Sequence, residues 1–218
     1  MRLVLPRLYV ILDAALISIP EKDCARNLVD AGVLLIQYRN KRASARQLFE
    51  TSSKLAEFLK PAGVQFIVND RADVAALSGA DGVHVGQEDL EVEQAREVIG
   101  AGKWVGVSTH NTEQFQQSAA KTSADYLAVG PIFATGSKEN PDPVVGLDFV
   151  RQTRALTDKP IVAIGGITLE RAAEVVSAGA DAVAVISDIL LAENPGKRAR
   201  QFVDLLDKQN SVNAVPHA

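Results

Sequence analysis

The sequence predicts a single (β/α)8 TIM barrel. Short β-branched apolar runs alternate with longer helix-like stretches eight times along the chain. The runs are continuously apolar, as strands covered on both faces are. Eight such units in 218 residues fit a barrel near the small end of its size range. A doubly wound open sheet is the alternative. It is disfavoured because no glycine-rich dinucleotide fingerprint follows the first strand.

Strand one is Leu8 to Asp13. Helix one runs from Glu21 to Ala31, and Gly32 ends it as a C-cap would. Strand two is Leu34 to Arg39. Helix two starts near Ser44, an N-cap with Gln47 three residues on, and reaches Lys60 before the turn Pro61-Ala62-Gly63. Strand three, Gln65 to Asp70, precedes a short helix from Asp73 to Ser78. Strand four is Gly82 to Gly86 and helix four Val92 to Ile99. Strand five is Trp104 to Ser108, and helix five follows Asn111-Thr112 to Lys121. Strand six, Tyr126 to Gly130, leads into a long polar loop, Pro131 to Gly146, then a helix from Leu147 to Leu156. Strand seven is Pro160 to Ile164, helix seven Thr168 to Ala178, strand eight Ala182 to Ile186. A last helix lies between Pro195 and Lys208. Residues 1–208 thus read as one catalytic domain and Gln209 to Ala218 as a loose polar tail. Gly79-Ala80-Asp81 and Gly179-Ala180-Asp181 repeat one element before a strand, which reads as turn chemistry.

The bulk composition narrows the function classes. A net charge of −4 argues against nonspecific binding to nucleic acid or anionic membrane. The single cysteine, Cys24, excludes an internal disulfide and a cysteine metal cluster. No transmembrane run and no signal peptide are read, so the expectation is a cytoplasmic enzyme acting on small molecules. A homo-oligomer stays open.

In such a barrel the active site lies at the C-terminal ends of the strands, and the unusual polar residues fall there. Strand two closes on Gln37-Tyr38-Arg39-Asn40-Lys41, where alternation lets Gln37, Arg39 and Lys41 share one face. Strand three ends in Asn69-Asp70, and Gln87-Glu88-Asp89 follow strand four. Ser108 ends strand five, Thr135-Gly136-Ser137-Lys138 follow strand six, Gly165-Gly166 end strand seven, and Ile186-Ser187 end strand eight. Three subsites emerge. Asp70 and Asp89 are paired carboxylates suited to Mg²⁺; taken singly, each also reads as a helix cap, or Asp70 as a partner of Arg71. Arg39, Lys41 and Lys138, with Asn69, supply donors and charge for a phosphate or pyrophosphate. Gly165-Gly166 and Ile186-Ser187 lie where barrels commonly bind phosphate. No general base is apparent: His84 reads as a packed, hydrogen-bonded strand residue, and His110 as a loop residue with a weak claim. A missing base fits a reaction driven by departure of a leaving group.

These residues resemble a known family. Gln37 to Lys41, Val68-Asn69-Asp70-Arg71, Gly82 to Asp89, Gly106-Val107-Ser108, Gly130-Pro131-Ile132-Phe133, Thr135 to Lys138 and Ile164-Gly165-Gly166-Ile167 occur in order on successive strands. Together they resemble thiamine-phosphate synthase, also called thiamine-phosphate pyrophosphorylase, over about Leu8 to Leu206. The resemblance implies a transferase of thiamine biosynthesis. It would join hydroxymethylpyrimidine pyrophosphate to thiazole phosphate, or its carboxylate form, with Mg²⁺. Pyrophosphate would leave first, giving a pyrimidine-stabilised carbocation that the thiazole nitrogen captures. It further implies that Gln37, Tyr38, Arg39, Asn40, Lys41, Asn69, Ser108 and Lys138 hold the pyrimidine substrate, with Arg39, Lys41 and Lys138 catalytic. Asp70 and Asp89 would bind the metal, and Thr135, Gly136, Ser137, Gly166, Ile186 and Ser187 the thiazole phosphate. Asn40 departs from a commonly acidic position, Ala134 from a common Pro, and Ser137 from a common Thr. A thiazole tautomerase, expected to carry a His where Pro131 stands, and a non-catalytic barrel binding a thiamine precursor are the alternatives. The loop from Pro131 to Gly146 is expected to close over both substrates.

Overall fold

The structure, a computed structural model, describes residues 5–136 and 142–213, with side chains as far as residue 208. It is a closed parallel barrel in strand order β1 to β8. The strands are β1 (Leu8–Asp13), β2 (Leu35–Arg39), β3 (Gln65–Asn69), β4 (Gly82–Val85), β5 (Trp104–Thr109), β6 (Tyr126–Val129), β7 (Ile161–Ile164) and β8 (Ala182–Val185). β8 returns to β1 with Leu8 opposite Val183, which closes the sheet and removes its edges. The helices are α1 (Glu21–Asp30), α2 (Ala45–Leu59), α3 (Ala72–Ser78), α4 (Val92–Ile99), α5 (Thr112–Lys121), α6 (Gly146–Arg154), α7 (Leu169–Ser177), α8 (Ser187–Leu190) and α9 (Pro195–Asn213).

Local chemistry sets these boundaries. Ser44 and Gln47 form the expected capping box: the Gln47 N–H donates to Ser44 Oγ at 3.3 Å, and the Ser44 N–H to Gln47 Oε1 at 2.9 Å. Gly32 follows α1 at φ +84°, a left-handed position that favours glycine. Leu34, expected to open strand two, is 52% exposed and precedes the ladder instead. The last helix continues past the expected end at Lys208 to Asn213, because neither Gly nor Pro interrupts it before Pro216.

The repeated Gly-Ala-Asp turns clamp neighbouring strands. Asp81, just before β4, accepts the Phe66 N–H of β3 at 2.8 Å. Asp181, before β8, accepts the Ile161 N–H of β7 at 2.8 Å. Asp125 does the same for Val105, at 2.7 Å, without belonging to the repeat.

Strand alternation divides the core in two. One set of side chains fills the barrel, including Tyr9, Ile11, Leu35, Ile67, Tyr126 and Val162. The other packs between barrel and helices, including Leu12, Leu28, Tyr38, Phe66, Phe115 and Phe202. Inward-facing positions at the C-terminal strand ends are therefore the ones that meet at the mouth.

Candidate active site

Gln37 and Arg39 fall on the inward face of β2. Gln37 is buried, and its side-chain amide donates to the Tyr9 hydroxyl at 2.7 Å. The Arg39 guanidinium is ion-paired with Asp13, a buried carboxylate at the end of β1. The other Asp13 oxygen accepts the Ala15 N–H at 3.0 Å. Lys41 lies beyond the strand, half exposed, and its ammonium is paired with Asp70. The basic cluster is thus split between two carboxylates.

Tyr38 and Asn40, expected among the substrate contacts, do not join the cluster through their side chains. Alternation turns the Tyr38 ring outward against the helices, where its hydroxyl donates to Glu21 at 3.1 Å. The Asn40 amide nitrogen donates to the Tyr38 hydroxyl at 3.2 Å. Its oxygen accepts the N–H groups of Arg42 and Ala43, both at 3.1 Å, so Asn40 folds the turn that carries Lys41.

The strand-three and strand-four ends bring Asp70 and Asp89 together. Asp70 sits at φ +63°, the one non-glycine residue with positive φ among the described residues. Its N–H donates to the His84 carbonyl at 2.7 Å. Burial pushes the Asp70 carboxyl above its ordinary range, the Lys41 ammonium opposes this, and the neighbouring Asp89 carboxylate adds to the rise. Neither Asp has the local role that could have explained it. Arg71 pairs with Asp73 at 2.5 Å, and Arg71 itself occupies the N-cap position of α3. Glu91, not Asp89, caps α4, while Asp89 accepts the Gly86 N–H at 2.8 Å. Two adjacent carboxylates without sulfur or imidazole partners suit a hard divalent ion that keeps its waters and binds substrate phosphates. Among the described residues no group of three or more His, Cys, Asp or Glu could hold a metal, so a site of this kind rests on that pair.

Across the mouth lies a cleft. Ser108 and His110 of the β5 end form one side, with Pro131 and Thr135 from the loop after β6. Gly165, Gly166, Ile186 and Ser187 form the other. The loop is pressed onto the glycine turn: the Ile132 N–H donates to the Ile164 carbonyl at 2.9 Å and the Phe133 N–H to the Gly165 carbonyl at 3.0 Å. Gly165 and Gly166 have φ of +101° and +63°, and a Cβ on Gly166 would stand 2.9 Å from Phe133 Cβ. Only glycine allows this approach. Ser187 is not in a loop, as expected, but begins α8; four residues are too few for hydrophobic periodicity to reveal a helix. Gly136 is exposed beside the cleft, Asn69 ends β3 half-buried, and Ser137 and Lys138 lie outside the described residues.

The sequence alone passes over some residues at the mouth and gives His110 only a weak claim. Asp13 stood at a strand end, the signal used for the other strands. His110 donates from Nδ1 to the Gly130 carbonyl at 2.7 Å and lines the cleft. Tyr9 and Tyr126 are inward by alternation, but their hydroxyls meet only in three dimensions, at 3.0 Å. His84 is hydrogen-bonded and packed as expected, stacked on Tyr126 with ring centroids 5.6 Å apart.

A family model described as thiamine monophosphate synthase matches residues 8–189. A thiamine-phosphate synthase of Koribacter versatilis is 53% identical over 208 residues, covering 93% of this chain and 96% of the relative. Another, from Chloroflexus aurantiacus, is 46% identical, covering 90% of each chain. The solved structure of a thiamine phosphate pyrophosphorylase from Pyrococcus furiosus superposes with a TM-score of 0.84 at 34% identity, covering 93% of this chain and 96% of that one. A 3-hexulose-6-phosphate synthase, at 17% identity and a TM-score of 0.65, shares the fold alone. With a family model matching most of its length and relatives at 46% and 53% identity over nearly all of it, the chain belongs to the thiamine monophosphate synthase family.

Proposed function

We propose that the chain is a thiamine-phosphate synthase that joins hydroxymethylpyrimidine pyrophosphate to thiazole phosphate and releases pyrophosphate. The observation that carries this reading is the Asp70–Asp89 pair beside Arg39 and Lys41, facing a glycine-walled cleft across one barrel mouth. Cations and paired carboxylates on one side, with a glycine-walled cleft on the other, suit a substrate with a diphosphate leaving group and a second, phosphorylated substrate.

In this reading Asp70 and Asp89 hold Mg²⁺, which supplies charge neutralisation for the diphosphate when bound. Arg39 and Lys41 donate to the same oxygens and favour the charge that accumulates as the bond to the pyrimidine methylene breaks. Lys138 is assigned the same role from sequence. Asp13 orients Arg39 and Asp70 orients Lys41; with Asp70 holding a metal, the Lys41 ammonium would be left to the diphosphate. Gln37, Asn69 and Ser108 hold the pyrimidine. Thr135, Gly136, Ser137, Gly166, Ile186 and Ser187 hold the thiazole phosphate, so its ring nitrogen meets the carbocation after pyrophosphate departs. Departure-driven chemistry needs no general base.

Incubation of the purified protein with each substrate alone and with both tests the reading. Pyrophosphate release and thiamine phosphate formation are expected only with both substrates and Mg²⁺. Binding of thiazole phosphate without release would favour the precursor-binding barrel instead.

A further inference from the structure

A chain of buried hydrogen bonds crosses the barrel beneath the mouth. Gln37 on β2 donates to Tyr9 on β1 at 2.7 Å. The Tyr9 and Tyr126 hydroxyls are 3.0 Å apart, bridging β1 to β6. Tyr126 reaches His84 Nδ1 on β4 at 3.1 Å, and His84 Nε2 lies 2.9 Å from Ser108 Oγ on β5. The Tyr126 ring passes directly over Gly106 of β5, where any Cβ would collide with it. Five inward side chains are therefore linked in series, and the last of them, Ser108, lines the cleft.

The hydrogens along this chain are not independent. A phenol has one hydrogen to donate, and a neutral imidazole donates from one nitrogen and accepts at the other. The Gln37 amide donates to Tyr9, whose own hydrogen then has one acceptor within reach among the described residues, the Tyr126 oxygen. Tyr126 must then donate to Nδ1 of His84, which leaves His84 as the Nε2–H tautomer donating to Ser108. The Ser108 hydroxyl, having accepted there, turns its own hydrogen away from His84. Reversal from Ser108 to Tyr126 would make Tyr9 accept from both Gln37, which is 2% exposed, and Tyr126, and would leave the buried Tyr9 hydrogen without an acceptor among the described residues. Burial pushes both phenols well above their ordinary range, so each keeps its hydrogen.

We propose that Tyr9, Tyr126 and His84 are positioning residues that fix the Ser108 hydroxyl as a hydrogen-bond donor, and so make the site select an aminopyrimidine over its oxo analogue. The ring nitrogen beside an amino group carries a lone pair and accepts from Ser108. The corresponding nitrogen of the oxo form carries a hydrogen and meets another donor, and a polar site rejects such a mismatch strongly. The assignment rests on the synthase reading for the identity of the substrate, but not for the polarity of the chain.

Two measurements test it. In protein labelled with 15N at histidine, the His84 ring, assigned by its loss in His84→Gln, should show the neutral Nε2–H tautomer. Tyr126→Phe, which removes one hydroxyl, should abolish that preference. The Nδ1–H tautomer, or a preference unchanged in Tyr126→Phe, would overturn the proposal. In the condensation assay, Tyr126→Phe should lower the amino-over-oxo selectivity of the pyrimidine pyrophosphate about tenfold or more. The change should appear in the KM for that substrate and leave the KM for thiazole phosphate alone. Unchanged selectivity, or both KM values rising together, would also overturn it. If Tyr126→Phe does not fold, Tyr9→Phe cuts the chain one link earlier and is read in the same way. Absence of turnover in the unmutated protein would remove the synthase reading, while the tautomer would still decide the polarity.

Discussion

Asp13 and Arg39 stand opposite each other in the β1–β2 register, and the guanidinium is paired with a carboxylate only 3% exposed. Breaking a buried pair by removing one partner leaves the other uncompensated. Asp13→Ala should therefore cost about 3 kcal/mol of stability, read from the urea midpoint. The KM for the pyrimidine pyrophosphate should rise at the same time, because Arg39 loses the group that aims it. A stability change inside about 0.5 kcal/mol would mean that Asp13 does not hold Arg39 in solution.

Asp70 should trade stability for function. Its carboxyl is raised by burial first, with Asp89 adding and Lys41 opposing. The folded state thus holds the proton more tightly than the unfolded chain does. Its stabilising contribution is complete below the unfolded value of about 3.9 and is lost as pH rises through the raised folded value. At neutral pH without metal, Asp70→Asn should be the more stable protein by ~1 kcal/mol, and the advantage should shrink in acid. Asn also tolerates the positive φ at this position. Millimolar Mg²⁺ should raise the melting temperature of the unmutated protein and not of the variant. Equal shifts in the two proteins would place the metal elsewhere.

Gly166→Ala forces a Cβ at φ +63° against Phe133 and the Ala134 backbone. Its cost should be about 2 kcal/mol or more. Calorimetric titration should show weakened binding of thiazole phosphate with the pyrimidine pyrophosphate still bound. Loss of both ligands equally would point to general unfolding of the mouth.

Lys138→Ala is expected to lower turnover about 100-fold, the scale of one lost electrostatic contact at a reacting centre, while the thermal midpoint stays put. A matched loss of folding would remove Lys138 from the chemistry.

The fold was legible because each barrel strand is apolar throughout and each connection carries ordinary cap and turn chemistry; Ser44 with Gln47 and Gly32 behave as their types require. What failed was local. Helix α8, at four residues, spans about one turn and shows no repeat, and alternation turns the Tyr38 side chain away from the face that Gln37 and Arg39 share. Proximity was legible where charge marks a strand end: Lys41, Asp70 and Asp89 meet at the mouth, beside the Arg39–Asp13 pair. It was not legible where function runs through contacts between distant strands. Tyr9 and Tyr126 are 117 positions apart, and nothing in either local sequence announces that their hydroxyls meet. Asp13 is the intermediate case: a strand-end carboxylate whose importance appears only with its partner.

The most direct test of the account is release of pyrophosphate by the purified protein, followed in real time with the pyrimidine pyrophosphate, thiazole phosphate and Mg²⁺. The account predicts release that requires both substrates and the metal, is matched by thiamine phosphate, and falls steeply in Asp70→Asn. Release that proceeds without the thiazole substrate at the same rate, or that survives Asp70→Asn unchanged, would contradict it.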